Sequence, residues 1–94
     1  MEDVKLLSEF FDAIEGDPRI SITHIGVYAA LLQYWAKNQF RIPIHIFSYQ
    51  IMEAAKISAC TTFHKAIREL NEYGYIRYVP SFNKNKGSKV YLVF

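Results

Sequence analysis

Basic and hydroxyl-bearing side chains concentrate in two segments of the C-terminal half. In the first segment they recur from residue 58 to residue 68, and in the second three lysines fall within residues 83–89, which contain no acid. Ammonium and guanidinium groups and hydroxyls are the donors that phosphate oxygens and base edges accept from. We therefore predict a surface for duplex DNA formed by Ser58, Thr61, Thr62, His64, Lys65, Arg68, Lys84, Lys86, Ser88 and Lys89.

An ordinary solvated surface is the competing interpretation of both segments. Lysine, arginine and glutamate are common on any exposed helix face, and lysine is common at exposed hairpin tips. The order of charges along the first segment favours the DNA interpretation. Hydroxyls and Lys65 come first, Arg68 follows, and the carboxylates Glu69 and Glu72 come only at the end.

Other chemistry finds little support in the sequence. His24, His45 and His64 are far apart and lack a second ligand at the spacing of a metal site. We find no nucleophile–base pair, no glycine-rich phosphate loop and no paired acids. The chain is thus expected to have no catalytic residue, no metal, no cofactor and no small-molecule ligand, and we predict that it is not an enzyme.

Cysteine and tyrosine have alternative uses that the sequence leaves open. Cys60 lies near a predicted helix N-terminus, where a thiol can become reactive, although a small packed residue is the favoured interpretation. The seven tyrosines could stack on single-stranded bases. Most of them follow the helix and strand patterns, which favours packing.

Charge is unevenly divided along the chain. Residues 1–47 carry a net charge of −2 and residues 48–94 a net charge of +4, within a total of +2. A polarised chain is typical of a protein whose C-terminal half faces a polyanion. Charge alone is equally compatible with ordinary solvation.

Length and composition predict a single domain over residues 1–94. Of these 94 residues, 51% are hydrophobic and 16% aromatic, which is enough for a packed core. No apolar run is long enough to span a bilayer, and the start Met1-Glu2-Asp3 is unlike a secretory signal. With one cysteine no intrachain disulfide forms, so we expect a cytoplasmic, nucleoid-associated protein without membrane contact.

Hydrophobic periodicity predicts four helices and three strands. The helices span residues 2–15, 21–38 (with Ser21 or Thr23 as cap), 49–55 (with Ser48 as cap) and 59–72. The predicted strands are 41–46, limited to an edge by Pro43, then 75–79 and 90–94, with a polar turn over 80–89.

The third and fourth predicted helices form a helix-turn-helix unit with a turn over residues 56–58. In such units the N-terminal part of the second helix contacts bases in the major groove. Phe63, Ala66, Ile67 and Leu70 face inward at helical spacing, which leaves the polar residues outside. The predicted class is α+β, a winged helix-turn-helix whose core spans 21–94: three helices, a wing of two or three antiparallel strands, and an additional N-terminal helix over 1–17.

Several short runs carry a resemblance to a known group of proteins. They include Ile22-Thr23-His24-Ile25, Phe40-Arg41-Ile42-Pro43, Ala55-Lys56-Ile57-Ser58, Thr62-Phe63-His64-Lys65 and Lys86-Gly87-Ser88-Lys89-Val90. Over residues 20–91 the chain resembles small bacterial winged helix-turn-helix proteins of Bacteroides-type genomes, often found near mobile elements. More loosely it is similar to the winged helices of MarR-type regulators and replication-initiation proteins. The resemblance implies a winged-helix fold and DNA binding.

The predicted first helix has an apolar stripe that a winged-helix core does not need. Its members, offered as a dimerisation surface, are Val4, Leu7, Phe10, Phe11 and Ile14. An equal alternative is packing on the helix that contains Trp35. If the stripe pairs two chains into a homodimer, two recognition helices would read half-sites about one turn of DNA apart.

The function expected from the sequence is sequence-specific binding of double-stranded DNA by a transcriptional regulator. The alternative is a protein-assembly module of a replication-initiation complex, or of a complex for excision or transfer of a mobile element.

Overall fold

Apolar residues at helical and alternating spacing give this chain its secondary structure. The computed structural model describes residues 2–81 and 87–93, with side chains from Lys5 onward. Within these residues the chain is α+β, as predicted, with four helices and a three-stranded antiparallel sheet. The elements are α1 (Glu2–Ile14), α2 (Ile22–Lys37), β1 (Ile44–Ile46), α3 (Ser48–Ala55), α4 (Cys60–Glu72), β2 (Ile76–Val79) and β3 (Ser88–Leu92).

Helix α2 is the central element of the core. It packs against α1, α3 and α4, and its Val27 and Leu31 are fully buried. The predicted stripe of α4 is confirmed, because Phe63, Ala66, Ile67 and Leu70 are all buried. Burial of large apolar side chains is the main favourable term in folding, so these contacts fix where α4 lies.

The sheet has the strand order β1-β3-β2. Ile46 pairs with Ser88, and Val79 pairs with Lys89. Successive side chains of a strand point to opposite faces. The inner face therefore carries Ile44, Ile46, Ile76, Val90 and Leu92, which are buried.

The boundaries of several predicted elements were wrong by one to three residues. Strand β3 begins at Ser88 rather than residue 90, so Ser88 and Lys89 belong to a strand and not to the turn. Helix α4 begins at Cys60 rather than residue 59, so Ala59 extends the predicted turn to four residues. Ser48 is inside α3, and Gln50 Oε1 accepts the Phe47 N–H at 3.4 Å at the start of that helix.

Strand β1 covers only half of its predicted range. Gln39 and Phe40 both have positive φ values of about 60°, which turn the chain after α2. Pro43 has no N–H to donate. Regular pairing with β3 consequently starts only at Ile44.

Helix α1 packs on the chain's own core. Phe10 is buried and its ring stacks on that of Tyr28, with centroids 3.9 Å apart. Leu7 and Ile14 are half-buried against the same core. Phe10 is thus covered within the chain, whereas Phe11 is 46% exposed, and the side chain of Val4 is outside the described residues.

None of the helices in the described part of the chain is both long and apolar enough to cross a membrane.

Candidate nucleic-acid interface

The polar side of α4 is uncovered along its N-terminal half. Thr61, Thr62, His64, Lys65 and Arg68 are all exposed, and so is Ser58 just before the helix. Thr61, Lys65 and Arg68 follow each other at steps of four and three residues, so they lie on one line along the helix. The polar side that helical spacing predicted to face outward is therefore exposed and accessible to a ligand.

A four-residue connection sets the angle between α3 and α4. Lys56 adopts the left-handed conformation at φ 62°, and the Ile57 N–H donates to the Met52 carbonyl at 2.9 Å. These features end α3 sharply and send the chain into α4. Half-buried Ile57 packs against the core and holds the connection down.

Two side chains on α4 are held along the helix by hydrogen bonds to its backbone. The His64 Nδ1–H donates to the Cys60 carbonyl at 2.8 Å, which leaves Nε2 as an acceptor on the neutral ring. The Arg68 Nε donates to the His64 carbonyl at 3.2 Å, using one of the five donors of the guanidinium. Both groups thus face outward in a defined position.

A groove of about 460 Å³ separates α4 from the base of the β2–β3 hairpin. His64 and Arg68 line one side, and Ser81, Gly87 and Ser88 line the other. The Ser88 hydroxyl lies 3.2 Å from the Ser81 N–H, which it accepts. The structure therefore brings His64, Arg68 and Ser88 to one surface.

A second groove, of about 390 Å³, runs along the other flank of α4. Thr62 and Lys65 line it on the α4 side, and Arg19, Ser21 and Thr23 line it on the side of α2. The polar line of α4 is consequently a ridge with a groove on each side.

The predicted wing residues do not all share this surface. Ser88 points to the same side as buried Val90, whereas Lys89 alternates to the outer face of the sheet and is exposed. Lys84 and Lys86 are outside the described residues. Of the predicted wing donors in the described part of the chain, only Ser88 lines the groove beside α4.

A buried histidine ties the start of α2 to the end of α4. His24 is 5% exposed, and its Nδ1 accepts the Ser21 N–H at 2.9 Å. This pattern places the ring proton on Nε2, which donates to Glu69 Oε1 at 3.1 Å. Burial raises the pKa of Glu69, but hydrogen bonds from His24 and Tyr73 outweigh it, and the pKa is below its usual value.

Ser21, His24 and Glu69 have the hydroxyl–imidazole–carboxylate order of a hydrolytic triad. The Ser21 Oγ lies 2.9 Å from His24 Nδ1, but the same nitrogen also receives the Ser21 backbone N–H. Histidine at the third helical position that accepts this N–H is part of a helix cap. Capping of α2 and anchoring of α4 account for all three residues.

A salt bridge in the α1–α2 loop supports the same end of α4. Arg19 donates two hydrogen bonds of 2.9 Å to the Asp17 carboxylate, which also accepts the Tyr75 hydroxyl at 2.7 Å. Hydrogen bonds from Arg19 and Tyr75 hold the pKa of Asp17 well below its usual range. The Arg19 guanidinium also lies 4.0 Å from the centre of the Tyr73 ring, a cation–π contact.

Sequence reasoning missed this network. It left His24 as one of three scattered histidines without a metal partner and gave Asp17, Arg19 and Tyr75 no role. The spacing Ser21-x-x-His24 was the one available signal, because it fits a capping pair. Cys60 was also interpreted wrongly, since it is exposed rather than packed.

Within residues 2–81 and 87–93, the structure brings together no group of three or more histidine, cysteine, aspartate or glutamate side chains that could hold a metal ion.

No family model, no curated protein and no solved structure matches this chain. The resemblance to bacterial winged helix-turn-helix proteins therefore stays a prediction. The ridge of α4, its two grooves and the charges around them are the features of this chain that suggest a function.

Proposed function

We propose that the protein is a winged helix-turn-helix protein that binds double-stranded DNA through α4 and the β2–β3 hairpin. Three features support the fold: the helices α2, α3 and α4 around one core, a hairpin after α4, and a short third strand at the sheet edge. The four-residue connection between α3 and α4 has the length expected of a helix-turn-helix.

One observation carries the proposal. The exposed line Thr61–Lys65–Arg68 stands between two grooves, and the one acid of α4 that lines either of them is Glu69, near the end of the helix. A protruding helix with free donors fits a major groove about 12 Å wide. The flanking grooves give the two phosphate backbones space beside the helix.

Each exposed group of α4 has a chemical counterpart on DNA. Thr61 and Thr62 are in the first turn, where hydroxyls and backbone N–H groups together favour phosphate. Lys65 and Arg68 can donate to the O6 and N7 acceptors of guanine. His64 and Ser88 face the groove at the hairpin, where the Ser88 hydroxyl can donate to a phosphate oxygen and His64 Nε2 can accept from an amino group of a base.

Selection of bound sequences from a random duplex pool tests this proposal. We expect a short enriched motif for the unaltered protein and no enrichment for the double variant Lys65→Gln/Arg68→Gln. Absence of enrichment with the unaltered protein would overturn sequence-specific binding. Such a protein would act as a transcriptional regulator in the cytoplasm, on the nucleoid.

A homodimer through α1 is part of the proposal, with Phe11 at its centre. Phe11 is exposed, whereas Phe10 is used within the chain. We expect sedimentation equilibrium to show a dimer that Phe11→Ser converts to a folded monomer. A monomer at all concentrations would show that α1 forms no dimer interface. Two half-sites about one turn of DNA apart would then no longer be expected.

A protein-assembly module of a replication or mobile-element complex is the second candidate. Phe40 and Ile42 favour it, because they are 48% and 42% exposed in the loop between α2 and β1. Neighbouring exposed apolar side chains are typical of protein-binding surfaces. This candidate predicts salt-insensitive association that Phe40→Ser weakens, together with weak binding of duplex DNA.

A further inference from the structure

The outer face of the sheet is a second exposed surface, formed by residues of the strands and not of α4. Its residues alternate with the buried ones along each strand and are His45, Arg77, Val79, Lys89 and Tyr91. His45 pairs with Lys89 and Lys89 with Val79, so these three form one row across the sheet. Arg77 and Tyr91 pair with each other two positions further along the strands, which is the neighbouring row on this face. All but half-buried Tyr91 are exposed.

The strands that form this face contain basic residues and no acidic ones. Residues 38–52, which include β1, contain no aspartate or glutamate, and neither do residues 73–94, which include β2 and β3. The acids of the chain lie in α1, in the loop after it, in α3 and at the end of α4. A sheet face with cations and no acids attracts a polyanion.

An open depression of about 590 Å³ lies beside Lys89 on this side of the hairpin. Phe47, Val79 and Pro80 give it apolar walls, while His45 and Lys89 contribute polar groups. In the neighbouring row the Arg77 guanidinium lies 5.5 Å from the centre of the Tyr91 ring. Flat apolar and guanidinium surfaces of this kind accept the face of a nucleobase.

We propose that the outer sheet face binds single-stranded nucleic acid. An unpaired base fills the depression between Phe47, Val79 and Pro80, a second base lies against the Arg77–Tyr91 pair, and the adjoining phosphates contact Lys89 and Arg77. The bases of a duplex are stacked on each other and have no free face to offer such a depression, so a single strand is the matching ligand. The depression adjoins the groove beside α4, because Phe47, Pro80, Ser81 and Gly87 line both of them. Lys89 lines only the depression and Arg68 only the groove, so substitutions of these cations distinguish the two surfaces.

Fluorescence anisotropy with a labelled 20-nucleotide oligo-dT strand and a labelled 20-bp duplex tests the proposal. The test variant is Arg77→Gln/Lys89→Gln, and the charge-matched control is Lys65→Gln/Arg68→Gln on α4. We expect the sheet variant to lower affinity for the single strand about tenfold and to reduce its salt slope by about 0.7 for each phosphate that is no longer neutralised. The variant Lys5→Gln/Lys37→Gln, outside both surfaces, should leave single-strand affinity unchanged, and the α4 variant should lower it by less than the sheet variant does.

The variant Tyr91→Leu separates stacking from charge. It keeps an apolar side chain in the half-buried position and removes the ring. We expect it to bind the single strand about tenfold more weakly than the unaltered protein does. An oligo-U strand in the same assay shows whether the surface distinguishes RNA from DNA, and binding of either supports the proposal.

Three results would overturn the proposal: no single-strand binding at low salt, loss of single-strand binding only in the α4 variant, or loss of duplex binding alone in the sheet variant. None of them decides whether α4 binds duplex DNA, because that is measured by the effect of the α4 variant on the duplex probe.

Discussion

Gly87 determines how closely the hairpin approaches β1. Its φ is +36°, and a Cβ built on it would lie 2.7 Å from the Ile46 carbonyl oxygen, which belongs to the backbone. No side chain can avoid that contact by changing rotamer, so the strand itself would have to shift. The residue at this position therefore controls the groove in which Ser88 faces α4.

Replacement of Gly87 by alanine should lower the free energy of unfolding by about 1–3 kcal/mol, because alanine is strained at positive φ and cannot fit against Ile46. Gly16→Ala is the matched control, since a Cβ there meets nothing within 4 Å. We expect the control to be neutral or slightly stabilising. Urea unfolding measures both, and equal effects of the two substitutions would contradict this account of Gly87.

Asp17 makes the stability depend on pH on the acidic side. Its hydrogen bonds with Arg19 and Tyr75 lower the pKa of the carboxyl in the folded state relative to the unfolded chain. A lowered pKa means that the ionised form stabilises the fold. That contribution is complete above the ordinary aspartate pKa of about 4 and declines as the pH falls towards the folded-state pKa.

Asp17→Asn should therefore destabilise the protein at pH 7 and have a smaller effect at pH 3. Urea titrations of the protein and the variant at pH 7, 5 and 3 check this expectation. A difference that is the same at all three pH values would show that the charge of Asp17 contributes nothing to the fold.

At the scale of elements, the parts that could be predicted are those that depend on local pattern. The stripe Phe63–Leu70 was predictable because a helix of this length satisfies its own hydrogen bonds and needs one buried side. The start of β3 was not, because Ser88 enters the sheet by pairing with Ile46, 42 positions away in the chain. A short stretch of sequence does not contain the distant partner strand, so this pairing cannot be predicted from it.

The candidate site divides in the same way. Exposure of Thr61, Lys65 and Arg68 follows from the period of one helix, and it was predicted. The separation of Ser88 from Lys89 follows from the register of β3 in the sheet, and it was not predicted. The contact of His24 with Glu69 joins residues of two helices that are 45 positions apart in the chain, so only the packed structure shows it.

Substitutions on the two sides of α4 should have different effects. Those on the buried side should lower stability, whereas those on the exposed side should lower DNA binding and leave stability nearly unchanged. Ile67→Ala is expected to lower the free energy of unfolding by about 2–5 kcal/mol, because the side chain is fully buried. Lys65→Gln and Arg68→Gln should each change it by less than about 0.5 kcal/mol, as exposed substitutions do. Chemical denaturation measures all three, and a large loss of stability in the exposed variants would contradict the assignment of sides.

At the scale of the whole molecule, charge is unevenly divided among the elements. Acids are concentrated in α1 and the loop after it, whereas the sheet and the N-terminal part of α4 have none. The basic side is itself divided by the base of the hairpin into the groove beside α4 and the outer sheet face. We infer that duplex DNA uses the first of these surfaces.

The salt dependence of duplex binding tests the central role of α4 most directly. The binding constant of the protein should fall steeply as salt increases, and Lys65→Gln/Arg68→Gln should make the logarithmic slope shallower by about 2, or about 0.9 for each phosphate that is no longer neutralised. The charge-matched control Lys5→Gln/Lys37→Gln, on α1 and at the end of α2, should keep the original slope. Identical slopes and affinities for the protein and the α4 variant would contradict the account.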